Sequence, residues 1–372
     1  MPKTIQLRRG VGTSLTKFRM KKQGRIAYIG GSITEMPKGY SFLATQMISG
    51  MFPTAKLDFI NAGVSSTCSN TGAFRIGQDV FSKGKVDLLF IEFAVNDNQD
   101  GHLKPVSTVR AMEGMVRQAY ANNPEMDIVF LYTANESHNQ TFNSGKIPRE
   151  IRAMEKVAKY YRIPSICFAQ EVAFRIAAGE FDWANDFGGV HPAQFGNEIY
   201  CSLIKELLEL SGEDSSAEIP AELIDENSLV KGNFLPPSVA EFDENWTLGI
   251  PDWESLPGVK RERFTGVPTL FTTTPGAELT LSFYGTCIGF YLTAGPDAGC
   301  IRYSIDGSPF KKADLLHPFS MGLHYPYTKM LAEDLAPGMH TLVLQVSKAH
   351  NPKSSGNALR IMNFAVNAIK NA

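Results

Sequence analysis

Two residues of this chain, Ser32 and His191, have side chains that together could attack an acyl carbon. A serine hydroxyl is a weak nucleophile until a neighbouring base takes its proton. Imidazole is the side chain that titrates near neutrality, and His191 in Gly188-Gly189-Val190-His191-Pro192 supplies one. Ser32 closes the run Arg25-Ile26-Ala27-Tyr28-Ile29-Gly30-Gly31-Ser32, which is apolar until it stops at two glycines. Such a run predicts a buried parallel strand, with the glycines allowing a sharp turn behind it. A serine on that turn stands at the carboxyl end of a strand, where open α/β sheets bind ligands.

Two further segments repeat the strand-then-turn pattern. Leu57-Asp58-Phe59-Ile60-Asn61-Ala62-Gly63-Val64-Ser65-Ser66 ends in a Gly/Ser turn, and Val86–Asp97 is an apolar run ending in Asn96-Asp97. Read in chain order, Ser32, Gly63, Asn96 and His191 resemble the four sequence blocks of the SGNH hydrolases, also called the GDSL esterase/lipase family. The resemblance covers residues 20 to 210 or so. It implies a flavodoxin-like, three-layer α/β domain with a parallel sheet. It also implies a serine esterase with Ser32 as nucleophile, His191 as base and no metal or other cofactor. By the family pattern the oxyanion donors are the backbone N–H of Ser32, the backbone N–H of Gly63 and the side-chain amide of Asn96. Gly63 suits that role because its backbone can approach a substrate without a Cβ in the way. Asn96 suits it because its NH₂ is a neutral donor that does not titrate.

The chain departs from the pattern at the third catalytic member. In the family the acid usually sits three residues before the histidine, and here that position is Gly188. Asp186, five residues upstream of His191, is the expected acid, reaching back through the Gly188-Gly189 pair. Two other readings stay open: a Ser-His dyad with the imidazole oriented by a backbone carbonyl, or a carboxylate from elsewhere, Glu92 or Asp182.

These residues can meet only if the elements between them alternate strand and helix. Helices are predicted near Gly39–Met51, Thr71–Phe81, Pro105–Ala121, Pro148–Tyr161, Gln170–Ala178 and Pro192–Leu210, with strands at Asp127–Tyr132 and Pro164–Phe168. The helix from Pro105 places Val106, Val109, Met112, Val116 and Ala119 on one stripe. Alternation of this kind means a parallel sheet with helices on both faces, whose strand ends converge on one crevice. The polar run Thr133–Thr141 is expected as a loop at the rim of that crevice, with His138 a rival base; Asn98, Asp100 and His102 are expected to line it. They have no ligand spacing that would argue for a metal.

At 372 residues two domains are expected. Residues 1–211 form the hydrolase domain, 212–263 a linking or wrapping segment, and 264–372 a separate all-β domain. The boundary is the polar run Ser211–Ser216. Beyond it, Glu278–Phe283, Cys287–Leu292, Ile301–Ile305 and His340–Val346 read as short strands, and Asp306-Gly307 as a hairpin turn. Such strands argue for a β-sandwich resembling the jelly-roll accessory domains of carbohydrate-active enzymes. Trp246, Trp253, Tyr325 and Tyr327 are candidate sugar-stacking aromatics. The family resemblance and the accessory domain together imply a small-molecule or oligosaccharide ester as substrate, most plainly an O-acetyl sugar. An inactive glycan-binding protein and an acyltransferase are the alternatives.

Composition narrows the partners. A net charge of −2 offers no electrostatic reason for binding nucleic acid, and the basic stretch from Lys17 to Arg25 is short enough to be merely solvated. No run is long and apolar enough to span a bilayer, and the N-terminus as given has no signal-peptide pattern. Five widely spaced cysteines read as reduced thiols, with Cys287 and Cys300 the one conceivable pair.

Overall fold

The structure, a computed structural model, describes residues 3–213 and 218–368. It divides into two compact units, Met1–Val230 and Lys231–Ala372. The predicted boundary run 211–216 lies partly outside the described residues, from 214 onward.

The first unit is built on six strands: β1 (Ile5–Gln6), β2 (Gln23–Gly30), β3 (Lys56–Gly63), β4 (Leu88–Glu92), β5 (Asp127–Leu131) and β6 (Ser165–Ile166). Their order is β1-β6-β5-β4-β2-β3, parallel throughout except for β1, which runs antiparallel to β6. Every residue of β4 and β5 is buried, which is why their sequences are continuous apolar runs. Register levels the carboxyl ends: Gly30 pairs with Gly63 on one side and Glu92 on the other, and Glu92 pairs with Leu131. The turns after β2, β3, β4 and β5 therefore share one edge of the sheet.

Among the described residues the first unit has nine α-helices: α1 (Gly12–Met20), α2 (Ser32–Glu35), α3 (Tyr40–Met51), α4 (Ser69–Asp79), α5 (Pro105–Asn122), α6 (Glu136–Asn143) and α7 (Arg149–Tyr160) lie between its strands, and α8 (Phe168–Ala177) and α9 (Gln194–Leu210) follow the last. The helices α4, α5 and α7 pack together, as do α3 and α9, giving the helical layers of a three-layer α/β domain. Pro105 occupies the first turn of α5, where its missing N–H costs no hydrogen bond. Among the described residues no helix is long and apolar enough to cross a membrane.

Several expectations change. The basic stretch is not merely solvated: Lys17 on α1 pairs with the nearly buried Asp87 at 2.5 Å, and Arg25 pairs with Asp58 at 2.6 Å. The segment 212–263 does not behave as one wrap. Residues 221–229 lie along α5, where Arg117 donates to the carbonyls of Ala221 and Glu222 at 3.2 and 2.6 Å. The buried Glu113 carboxylate accepts from the Ile224 amide at 2.7 Å, the Asp225 amide at 3.2 Å and the Ser228 hydroxyl at 2.6 Å. A buried carboxylate must find donors, and this stretch of chain supplies them. Residues 232–235, 241–242 and 247–249 are instead strands of the second unit.

The second unit is two antiparallel sheets. One orders strands 325–332, 288–294, 359–367, 269–272 and 247–249, with 232–235 also paired to 359–367. The other orders 311–314, 300–305, 338–346, 278–285 and 241–242. Leu270, Ile288, Phe290, Ile301, Leu344 and Phe364 belong to the shared core, so the architecture is a β-sandwich. Asp306 and Gly307 both hold positive φ, 52° and 71°, as a tight hairpin turn demands. The five cysteines are reduced thiols rather than disulfides, Cys287 and Cys300 included.

Candidate active site

Ser32 opens the short helix α2 directly after β2. The Glu35 amide donates to Gly31 O at 3.1 Å and the Met36 amide to Ser32 O at 3.1 Å. The Ser32 amide is the first of this turn, where no earlier helical carbonyl can accept from it. The imidazole of His191 reaches it across 159 positions of sequence, with Nε2 2.8 Å from Ser32 Oγ. Ser32 is half-buried and His191 exposed, so the pair is open to solvent.

Two glycines make the turn possible by close approach rather than by unusual dihedrals. A Cβ on Gly31 would lie 2.0 Å from Asn96 Oδ1, so the amide of Asn96 packs directly over the residue before the nucleophile. A Cβ on Gly30 would lie 2.2 Å from Thr34 Oγ1 and 2.8 Å from Glu92 Oε2. Asn96 itself begins a π-helical turn, Asn96–Asp100, and donates from Nδ2 to Asp100 Oδ2 at 2.6 Å. An amide NH₂ carries two hydrogens, so one remains for a ligand.

The other expected residues are placed differently. The Gly63 amide donates to Asn61 Oδ1 at 2.9 Å, and the space a Cβ would need there is filled by Glu35 N at 2.4 Å. Its lack of a side chain makes room for α2. Further along the same loop Ser66, buried and non-glycine, holds φ at 71°. Such conformations cluster at functional loops, and a Ser-Ser dipeptide gives no sequence signal for one.

Asp186 turns toward its own loop, where Oδ2 accepts from the Asp182 amide at 2.9 Å. Asp182 accepts from the amide and side chain of Asn185, at 2.5 and 2.8 Å, and those bonds hold its carboxyl below the usual range. Glu92 is bonded to Thr34, Thr133 and the Gly31 amide. Among the described residues, Ser32 is the hydrogen-bond partner the structure gives the His191 ring. Position 188 cannot hold an acid in this loop. Gly188 has φ of 90°, and a Cβ there would meet Ala193 N at 2.5 Å. The loop is held instead by aromatic stacking of Phe187 on Trp183 and Phe181, centroids 5.1 and 5.9 Å apart, and by Ala193 N donating to Phe187 O at 2.8 Å.

His138 is not a rival base. The polar run 133–141 folds into α6, N-capped by the side chain of Asn135, and buries His138 fully. Its Nε2 lies 2.7 Å from Glu150 Oε1 and its Nδ1 3.1 Å from Thr133 O. Asn98 accepts from Asn135 and Ser137, at 3.0 and 2.9 Å, and His102 is exposed at positive φ. Among the described residues no three His, Cys, Asp or Glu side chains are grouped to hold a metal.

Asp97, the residue after Asn96, is buried. Its carboxyl accepts from the Ser69 amide at 2.8 Å, the Ser69 hydroxyl at 2.6 Å and the Thr108 hydroxyl at 3.0 Å, tying the start of α4 to α5. Burial pushes its pKa up to about 7, against the pull of those three bonds. Unfolded, an aspartate titrates near 3.9, roughly. Between those values the folded state holds the extra proton, so this contribution to stability is full below about pH 4 and lost as pH rises through about 7. Asp97→Asn keeps an acceptor for the Ser69 amide and is expected to flatten that decline. Denaturant melts of both proteins across about pH 5 to 8 measure it, and parallel slopes would remove Asp97 as the source.

Among the sandwich aromatics, Trp246 and Tyr325 are core residues, 5% and 3% exposed, and the half-buried Tyr327 spends its hydroxyl on Leu315 O at 2.9 Å. None of these three presents a free face for a sugar. Trp253, half-buried, lines an open groove of about 620 Å³ with Asp252, Glu254, Lys260 and Thr265.

Residues 28–199 match the family model described as GDSL-like lipase/acylhydrolase. The whole fold is similar to the crystal structure of a two-domain esterase (CEX) active on acetylated mannans, co-crystallised with mannopentaose. That match has a TM-score of 0.75 and 19% identity, and covers 99% of each chain. A second crystal structure of a two-domain esterase (CEX) active on acetylated mannans matches at a TM-score of 0.74 and 19% identity, over 99% of this chain and 100% of that one. No curated protein matches the chain in sequence.

Proposed function

We propose, from the premise that residues 28–199 form a GDSL-like lipase/acylhydrolase domain and so a carboxylic ester hydrolase, that the chain removes O-acetyl groups from a carbohydrate. The observation that carries the reading is the 2.8 Å contact between Ser32 Oγ and His191 Nε2. With its proton on Nδ1, His191 can accept the Ser32 proton at Nε2 as Oγ bonds to the acetyl carbon. The tetrahedral oxyanion is held by the Ser32 amide and the second hydrogen of Asn96 Nδ2. Gly63, the third donor the family pattern implies, has its N–H committed to Asn61, so we assign two donors. Collapse breaks the bond to the sugar oxygen, which takes the proton from His191. Water, deprotonated by the same nitrogen, then adds to the acetyl-serine, and collapse releases acetate as Ser32 Oγ takes that proton back from His191.

We assign the catalytic pair as a Ser32–His191 dyad, with Asp186 holding the turn of the loop that carries His191. An open, solvent-reached pair favours hydrolysis over acyl transfer, which needs water kept out. The Ser-His contact disfavours an inactive binding protein. A carbohydrate substrate is supported by the like-folded two-domain esterase active on acetylated mannans, which matches over nearly the full length of both chains.

Acetate release from acetylated manno-oligosaccharides, with p-nitrophenyl acetate as a general ester, tests the reading. Both are expected to be hydrolysed. Turnover of the nitrophenyl ester with no acetate from acetylated mannan or xylan fragments would remove the carbohydrate and leave the esterase. Turnover of neither would remove both.

A further inference from the structure

Glu92 is a carboxyl at the centre of the site that the proposed chemistry does not use. It ends β4 and is fully buried. Its Oε2 accepts from Thr34 Oγ1 at 2.9 Å and from the Gly31 amide at 3.4 Å. Its Oε1 lies 2.6 Å from Thr133 Oγ1, two residues past the end of β5. Thr34 Oγ1 in turn lies 2.8 Å from Tyr40 Oη at the start of α3. Gly30 is matched to this cluster, since a Cβ there would collide with both Thr34 Oγ1 and Glu92 Oε2. One side chain thus joins both sides of Ser32 to the neighbouring strand.

We propose that Glu92 is a positioning residue for the nucleophile, fixing the turn that presents Ser32 to His191 through its hydrogen bonds to Gly31, Thr34 and Thr133. Burial pushes the Glu92 carboxyl above the usual range, outweighing the hydrogen bonds that pull it down. The Gly31 amide and the Thr34 hydroxyl donate to Oε2, and the Thr133 hydroxyl donates to Oε1. This inference rests on the serine-esterase reading.

Glutamine keeps the shape, its carbonyl can accept from Gly31 and Thr34, and its amide can donate to the Thr133 hydroxyl, whereas leucine has the bulk and none of the bonds. Glu92→Leu is expected to lower kcat about 10- to 100-fold with KM changed less than about threefold, because a displacement near 1 Å at a nucleophile costs on that order. The rate of Ser32 labelling by a fluorophosphonate should fall in parallel. Glu92→Gln should restore kcat to within about fivefold of the parent. A folded Glu92→Leu with parental kcat overturns the proposal, and so does a Glu92→Gln as slow as Glu92→Leu, since charge rather than hydrogen bonding would then be required. If Glu92→Leu does not fold, Thr34→Val and Thr133→Val each remove one bond; a drop in kcat in both supports the proposal, and parental kcat in both overturns it. Loss of hydrolysis in Ser32→Ala is scored separately, so failure of the Glu92 assignment leaves the esterase reading standing.

Discussion

Ser32→Ala is expected to lower kcat for ester hydrolysis by about 10⁴- to 10⁶-fold and to leave the folded state intact. The size follows from what is lost. Without Oγ no acyl-enzyme forms, and the remaining donors can stabilise only attack by a loosely held water. What survives is the share of the rate owed to the oxyanion donors and to substrate binding, about 10³- to 10⁴-fold over water in serine hydrolases of known energetics. Ser32 is half-buried and its Oγ contacts the exposed His191, so removing it empties no core space. The thermal midpoint is accordingly expected to stay within about 2 °C of the parent. Steady-state kinetics on p-nitrophenyl acetate together with calorimetry checks both halves. Residual activity above one-hundredth of the parent, roughly, in a folded Ser32→Ala protein would remove Ser32 as nucleophile.

His191→Ala is expected to fall nearly as far, about 10⁴-fold or more in kcat, while Asp186→Ala falls less than about tenfold. In a triad the acid is worth roughly 10⁴-fold because it holds the imidazole tautomer. Here the Asp186 carboxylate accepts from the Asp182 amide, and the loop beneath His191 is stiffened by Phe187 stacked between Trp183 and Phe181. Removing Asp186 should loosen that turn without taking away a partner of the ring. Equal losses in Asp186→Ala and His191→Ala would contradict the dyad and reinstate a triad through Asp186. Free imidazole added to His191→Ala offers a further check, since it can act as base where the side chain is gone.

Much of the first unit follows from local pattern. The predicted helices over 39–51 and 105–121 are found at Tyr40–Met51 and Pro105–Asn122, and the strand expected over 127–132 at Asp127–Leu131. Long periodic stretches and Pro-marked starts make such elements readable. The edge strand Ile5–Gln6 leaves no mark in the sequence, since two residues carry no periodicity. The polarity of the run 133–141 predicts a loop, yet Asn135 caps it into a helix and Glu150 bonds His138 in the interior. Sugar-stacking roles failed for Trp246 and Tyr325 because a sandwich core takes aromatics on inward positions.

Residue types and their order along the chain, through their resemblance to the SGNH blocks, single out Ser32, Asn96 and His191 as candidates, and the fold brings Ser32 Oγ to 2.8 Å from His191 Nε2. Partnership at the scale of a hydrogen bond was not readable. Whether Asp186 faces His191 or Asp182, whether the Gly63 amide is open or bonded to Asn61, and why Glu92 ends a buried strand all depend on side-chain directions. Those directions come from the packing of β2, β4 and β5 against turns from distant parts of the chain, and a linear pattern carries no record of which polar atom meets which.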